Sequence, residues 1–362
     1  MRMSLIKSKD ALHEGISRFL WRQWAQLGVA GAVEFRDRWM IDPEALLIFT
    51  LDAARGDPRL FDEVVDWALV NGRWLSVQRL KNLCGPMDVK RTRAILAALA
   101  EFIAERKGSA RWRGLMDIGG AYQDEEFGLF RDAAGGDLPI VGPTEPVFEK
   151  HGVLRSRIEP RGMSKPVPTD VPTNLILKLR AFFGVGARPD CVAYLLTHPG
   201  GYASEIARHV SYAQPSVQEA LGDLAQSGLI STGQLGGGKV YQADRDRWRR
   251  FLRIVAVRSL PIWVDWPRVF RALSHARESF RHPLLWQASG YMSQSLALSL
   301  LEELGRDLEH TGLGLKPYLA PALQGSTASL ALTVRRLVSA LNPRSGTPSP
   351  IVPRHVLGRL PP

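Results

Sequence analysis

The sequence predicts a mainly α protein with one small β-hairpin: a helical amino-terminal region, a central three-helix segment closed by two short strands, and a helical carboxy-terminal region. Three observations lead there. Apolar residues recur at helical spacing through long stretches of the chain. Two of those runs open on an aspartate followed by proline, the residue pair that caps a helix and fills its first position. Period-two alternation flanks Gly236, Gly237 and Gly238, a hairpin tip that glycines tolerate most easily.

The elements follow in order. Residues 1–115 form a helical amino-terminal domain. Within it, residues 11–27 set Leu12, Ile16, Phe19, Leu20, Trp24 and Leu27 on one face. Asp42 and Pro43 open a second helix reaching about residue 54, and Asp57 and Pro58 open a third that reaches Val70 before Asn71 and Gly72. Segments 76–83 and 88–106 complete the set, separated by Gly85 and Pro86. The last three helices could make a second tri-helical DNA-binding unit, with Lys90, Arg91 and Arg93 at the start of its third helix. No hairpin follows them, and a dimerisation or sensor domain is the competing reading. Residues 116–172, rich in Gly, Pro and Asp, read as an irregular linker or small subdomain. Their Arg155, Arg157, Arg161 and Lys165 either track a nucleic-acid backbone or are simply solvated.

The central domain, 173–258, carries the strongest pattern. A helix over 191–197 stops at His198, Pro199, Gly200 and Gly201, and a second short helix spans 204–210. After a three-residue turn at 211–213 comes a third helix, 214–226, or 214–227 with its cap, where Gly228 supplies a left-handed end. Val217, Leu221 and Leu224 fall at i, i+4 and i+7, so one face of that helix packs inward. Strands at 229–235 and 239–243 complete a 229–243 wing. Three helices and a β-wing make a winged helix-turn-helix, the unit that sets its third helix in a DNA major groove. Beyond it, helix is expected over 246–257, 265–280, 283–304 and 326–341, a helical carboxy-terminal region (259–341) suited to bundling or dimerisation. The proline-rich 342–362 lacks periodicity and is expected to be a disordered tail.

The segment AQPSVQEALGDL, residues 213–224, resembles the recognition-helix segment of ArsR- and MarR-type winged-helix regulators. Those families favour a small residue, Gln or Ser near the helix start, a β-branched residue four positions in, and leucines four and seven later. Residues 177–196, LKLRAFFGVGARPDCVAYLL, are similar to the helix preceding the motif in winged helices associated with minor nucleotidyltransferases. The resemblance covers roughly residues 172–250 and implies double-stranded DNA binding. It leaves the operator, the ligand and the regulated genes unnamed.

The chain departs from those families in charge. Recognition helices there often carry basic residues, whereas this one exposes Gln214, Ser216, Gln218, Glu219 and Asp223. Glutamine can read adenine, serine can contact a base or a phosphate, and glutamate can accept from cytosine. Positive charge must then come from Arg208 and His209 on the second helix, Lys239 in the wing, and Arg245, Arg247, Arg249 and Arg250 beyond it. The whole composition agrees: 47 Lys and Arg against 36 Asp and Glu give a net charge of +11 over 362 residues, which favours a polyanionic partner.

Other chemistry finds little support. The eight histidines form no zinc-binding spacing, the glycine runs lack the Lys-Ser/Thr of a phosphate loop, and no nucleophile elbow occurs. Asp117 and the cluster Asp124, Glu125 and Glu126 do not fit a nucleotidyltransferase metal site. No catalytic residue, cofactor or metal is therefore expected. Two cysteines, Cys84 and Cys191, make no disulfide framework, and no leader or membrane-spanning run is seen, so a cytoplasmic protein is expected. Ten tryptophans are more often core, though such clusters can also line an interface or a small-molecule effector pocket. The reading is a homodimeric transcriptional regulator. The alternatives are an antitoxin or autoregulatory partner of a nucleotidyltransferase-type toxin, and a winged-helix scaffold that binds protein.

Overall fold

The computed structural model describes residues 2–29, 38–85, 90–119, 126–132, 135–253, 260–282, 285, 290–313 and 326–342. They are mainly helical and divide into two compact units, with the boundaries inside the first helix, after Arg22, and at residue 264. The expected tail beyond Asn342, the start of the 283–304 helix and residues 254–257 lie outside the described residues.

Helix α1 (Arg2–Gln26) gives its first part to the unit completed by residues from 264 onward. The first 22 residues thus pack with carboxy-terminal helices rather than with the rest of the 1–115 region. In the other unit, α2 (Pro43–Ala53), α3 (Pro58–Asn71) and α4 (Val77–Cys84) begin where capping chemistry says they should. The Asp42 carboxylate accepts from the Ala45 N–H at 3.0 Å, Asp57 from Leu60 at 3.0 Å, and the Ser76 hydroxyl from Arg79 at 3.2 Å, each satisfying an orphan donor of a first turn. Helix α5 (Lys90–Lys107) is the centre of this unit, with every residue from Ala94 to Ala104 buried. A helix enclosed over those residues has no free face to lay in a groove, which argues against 88–106 as a second recognition helix; residues 88–89 and the Lys90 side chain lie outside the described residues. Trp24 and Trp67 meet edge to face at 5.0 Å beside it. Their indole N–H groups donate to Thr50 Oγ1 and the Leu27 carbonyl, which makes both fully buried rings affordable.

Past the short α6 (Ala110–Arg113), residues 126–171 wrap these helices instead of bridging domains loosely. A two-residue parallel pair, β1 (Phe127–Gly128) and β2 (Val153–Leu154), is fixed by buried Arg55, which donates to the Leu129 and Gly128 carbonyls at 2.8 Å each. The turn α7 (Pro146–Glu149) lies between the strands. Arg155 is itself buried and pairs with Asp62 at 2.8 Å, and Arg161 pairs with Glu63. Neither is a free backbone-tracking cation.

The same unit continues through α8 (Leu175–Phe183), α9 (Ala187–Thr197), β3 (Gly201–Tyr202), α10 (Ala203–Val210), α11 (Gln214–Gln226), β4 (Ser231–Leu235), β5 (Gly238–Gln242) and α12 (Arg245–Phe251). The strands form one antiparallel sheet in the order β3–β5–β4. Helix α12 stops at Phe251, short of the expected 257, and Arg253 takes a left-handed conformation two residues on.

The remaining unit packs the start of α1 with α13 (Trp266–Arg281), α14 (Gly290–Leu308) and α15 (Ser326–Leu341). Phe19, Trp266 and Phe270 stack in its core at 5.2–6.2 Å. Gly15 allows α15 to lie close, since a side chain there would collide with Val338. Leu300, Leu301 and Leu304 of α14 and Leu330, Val334, Leu337 and Leu341 of α15 are all buried inside this unit. The apolar stripes that suggested a dimer interface are spent on its own core.

Candidate nucleic-acid interface

Three helices and a hairpin converge where the sequence placed the functional segment. Helix α10 buries Ile206, Ala207 and Val210 and ends at Ser211, whose φ of 58° turns the chain sharply towards α11. Helix α11 buries Val217, Ala220, Leu221 and Leu224. Its opposite face leaves Gln214, Ser216, Gln218 and Glu219 exposed. None of these four side chains forms a hydrogen bond or ion pair among the described residues. Asp223, the second acid of the helix, is instead paired with Arg188 of α9, so part of the helix's negative charge is neutralised from within the chain.

Strands β4 and β5 pair over five positions from Ser231↔Gln242 to Leu235↔Gly238. Gly236 and Gly237, at φ 58° and 78°, make the two-residue turn that matches strand twist. The hairpin is pinned from β3: the Tyr202 hydroxyl donates to the Leu235 carbonyl at 2.9 Å, and its ring covers Gly238 so closely that a Cβ there would lie 2.8 Å from it. Lys239 stands exposed on β5, its ammonium 5.2 Å from the Tyr241 ring centroid. Helix α12 is held by buried Trp248, whose indole donates to the Leu229 carbonyl at 3.0 Å. Arg247 and Arg250 are exposed there, while Arg245 and Arg249 are half-buried.

Two of the expected cations sit differently from the rest. Arg208 is exposed, but the neighbouring His209 is half-buried with its ring 5.4 Å from Tyr194 and 6.1 Å from His198. Tyr194 and His198 stack at 3.9 Å, and burial pulls His198 down to about 4. Burial also lowers the Arg245 guanidinium below its ordinary value. These groups belong to a packed aromatic corner more than to an open surface. Beside α11, Phe183, Val185, Arg188 and Pro189 line a groove of about 250 Å³ together with Ser216 and Glu219.

What sequence reasoning missed lies behind the turn. Arg79 of α4 donates to both oxygens of Asp42 at 2.5 Å and to Glu44 at 2.8 Å, and its Nε donates to the Val210 carbonyl at 2.8 Å. Arg180 of α8 bridges Glu44 at 2.5 Å and Asp190 of α9 at 3.1 Å. Asn82 donates to the Ser211 carbonyl at 2.9 Å, and the Tyr212 hydroxyl to Ser76 at 2.8 Å. Burial works against charge in this cluster. It pushes Asp190 up to about 6, although Arg180 and Arg79 oppose the shift. Burial also opposes ionisation of Asp42, yet the ion pair with Arg79 keeps that carboxyl below its usual range. No local motif joins Glu44 to Arg180 across 136 positions, and only a contact between distant helices could reveal the pair.

Among the described residues no cluster of His, Cys, Asp or Glu could hold a metal ion, and no helix is long and apolar enough to cross a membrane. Comparison with family models, curated proteins and solved structures finds no match.

Proposed function

We propose that residues 173–258 form a winged helix-turn-helix and that the protein is a sequence-specific, double-stranded DNA-binding transcriptional regulator. In this reading α11 enters the major groove and the hairpin lies against the adjoining backbone. The observation that carries it is the division of α11: one face is consumed by the core, and the other presents Gln214, Ser216, Gln218 and Glu219 without internal partners. Arg208, Lys239, Arg247 and Arg250 are all exposed, on α10, the hairpin and α12, and would supply the positive charge that face lacks. The resemblance of residues 213–224 to ArsR- and MarR-type recognition segments points the same way. Cytoplasmic residence and action as a homodimer belong to the same reading.

A second reading, contact with protein, draws on one observation. Phe182 and Phe251 are 61% and 50% exposed and meet edge to face at 5.0 Å, an aromatic patch on the module's surface. Selection of bound fragments from genomic DNA separates the two. Enrichment of a discrete motif, with affinity falling as salt rises, is the expected result. Recovery of no motif, with no salt-sensitive binding to any duplex, would sink the DNA reading.

A further inference from the structure

The turn that delivers α11 is covered by α4, and α4 does not end at that contact. Its side away from the core exposes Gln78 and Lys81, and Lys81 directly precedes Asn82, whose amide bonds the Ser211 carbonyl. The Lys81 ammonium reaches Gly114, next to Arg113: a Cβ on Gly114 would lie 3.5 Å from it. Arg111, one helical turn away, donates to the Arg73 and Leu75 carbonyls at 2.9 and 2.7 Å and so ties α6 to the loop that enters α4. Arg73 lies over the Trp74 ring, and Lys107 closes α5 just before α6 in sequence.

Arg73, Lys81, Lys107, Arg111 and Arg113 are all exposed, and none forms an ion pair among the described residues. Among the described residues of the same stretch the exposed acids are Glu105 and Asp117. Exposed charge of one sign raises the local concentration of a polyanion. Helix α4, eight residues long, spans only about 12 Å. Asn82, on the same helix as Lys81, thereby couples the cluster to the α10–α11 turn within that length.

The geometry points to a second DNA-contact surface: the α4–α6 cations grip backbone phosphates flanking the bases read by α11. This rests on the DNA-binding reading and adds to it a partner surface outside the three-helix and hairpin module. The surface carries no sequence information, because phosphate contacts position a protein without reading bases.

The test uses the full chain and the duplex recovered by selection, titrated between 50 and 200 mM salt. The variant Lys81→Gln/Lys107→Gln/Arg113→Gln changes only exposed side chains that hold no internal bond, and Lys81→Gln alone serves as a milder second variant. The expected result is a salt slope flattened by about 0.9 per lost phosphate contact, on the selected and on random duplexes alike. Hydroxyl-radical protection should disappear from the flank of each half-site while the selected motif stays the same. Wild-type binding with an unchanged slope and footprint in both variants would overturn this inference and leave the α11 reading intact. So would loss of binding to anionic lipid vesicles with duplex binding untouched, which would give the patch to a membrane surface. Failure of the wild type to bind any duplex would overturn both.

Discussion

At the scale of single residues, the exposed face of α11 and the buried charges behind it make separate demands. Gln218 is exposed one helical turn beyond Gln214 and is free to donate and accept at once, as pairing with adenine requires. Gln218→Ala should relax preference at one position per half-site, a loss of roughly 1–3 kcal/mol of discrimination, with non-specific binding nearly intact. Glu219→Lys should instead raise affinity for any duplex; competition binding on selected and scrambled sequences distinguishes the two effects. Behind the turn, Asp190 binds its proton more tightly folded, at about 6, than its ordinary 3.8. Its contribution to stability is fully present below pH 4 and is lost as pH rises through 6. Each pH unit inside that window removes about 1 kcal/mol. Burial of neutral His198 works the other way over the same range, so the test is a difference: urea unfolding across pH 4–7 should show the stability of wild type falling relative to Asp190→Asn as pH rises. A parallel pair of curves would mean that Asp190 titrates normally. Arg79→Ala should cost about 3–5 kcal/mol, because it strands Asp42 and Glu44 without their shared cation.

At the scale of elements, the module and its caps were legible in the sequence. The bounds of α11 and α15, the starts at Asp42, Asp57, Ser76 and Asp265, and the glycine tip of the hairpin all follow from chemistry confined to a few neighbouring residues. What lay beyond reach was the identity of the partner surfaces. Helical periodicity shows that α5 has an apolar face; it does not show that the opposite face is buried too, because Ala97, Ala98 and Ala100 read as neutral filler. Likewise Arg155 looks the same as a solvated arginine until Asp62 and the Phe130 ring enclose it. The hairpin and α12 carry their own prediction. Lys239→Gln, Arg247→Gln and Arg250→Gln together should weaken binding to every sequence and flatten the salt slope by about 0.9 per contact. An unchanged slope would place the DNA on another face of the module.

At the scale of the whole molecule, a single reading helix covers too few base pairs for regulatory specificity, which is why two copies are expected on one site. With the apolar stripes of α14 and α15 buried, the exposed Phe182 and Phe251 become the first surface to test. Phe251→Ser should shift sedimentation at micromolar protein towards the monomer; a wild type that is monomeric both free and on DNA would remove the dimer from the proposal. The cluster of Asp42, Glu44, Arg79, Arg180 and Asp190 then acquires a genetic meaning. Readers strung on flexible linkers forgive changes in the distance between their half-sites. Here the turn before α11, the proposed reading helix, is clamped to α4, α8 and α9 through buried charge. One base pair inserted between half-sites turns one of them by about 35° around the duplex. On the proposed reading the clamp cannot follow that rotation, so the spacer of a bound site should be as strictly kept as the letters.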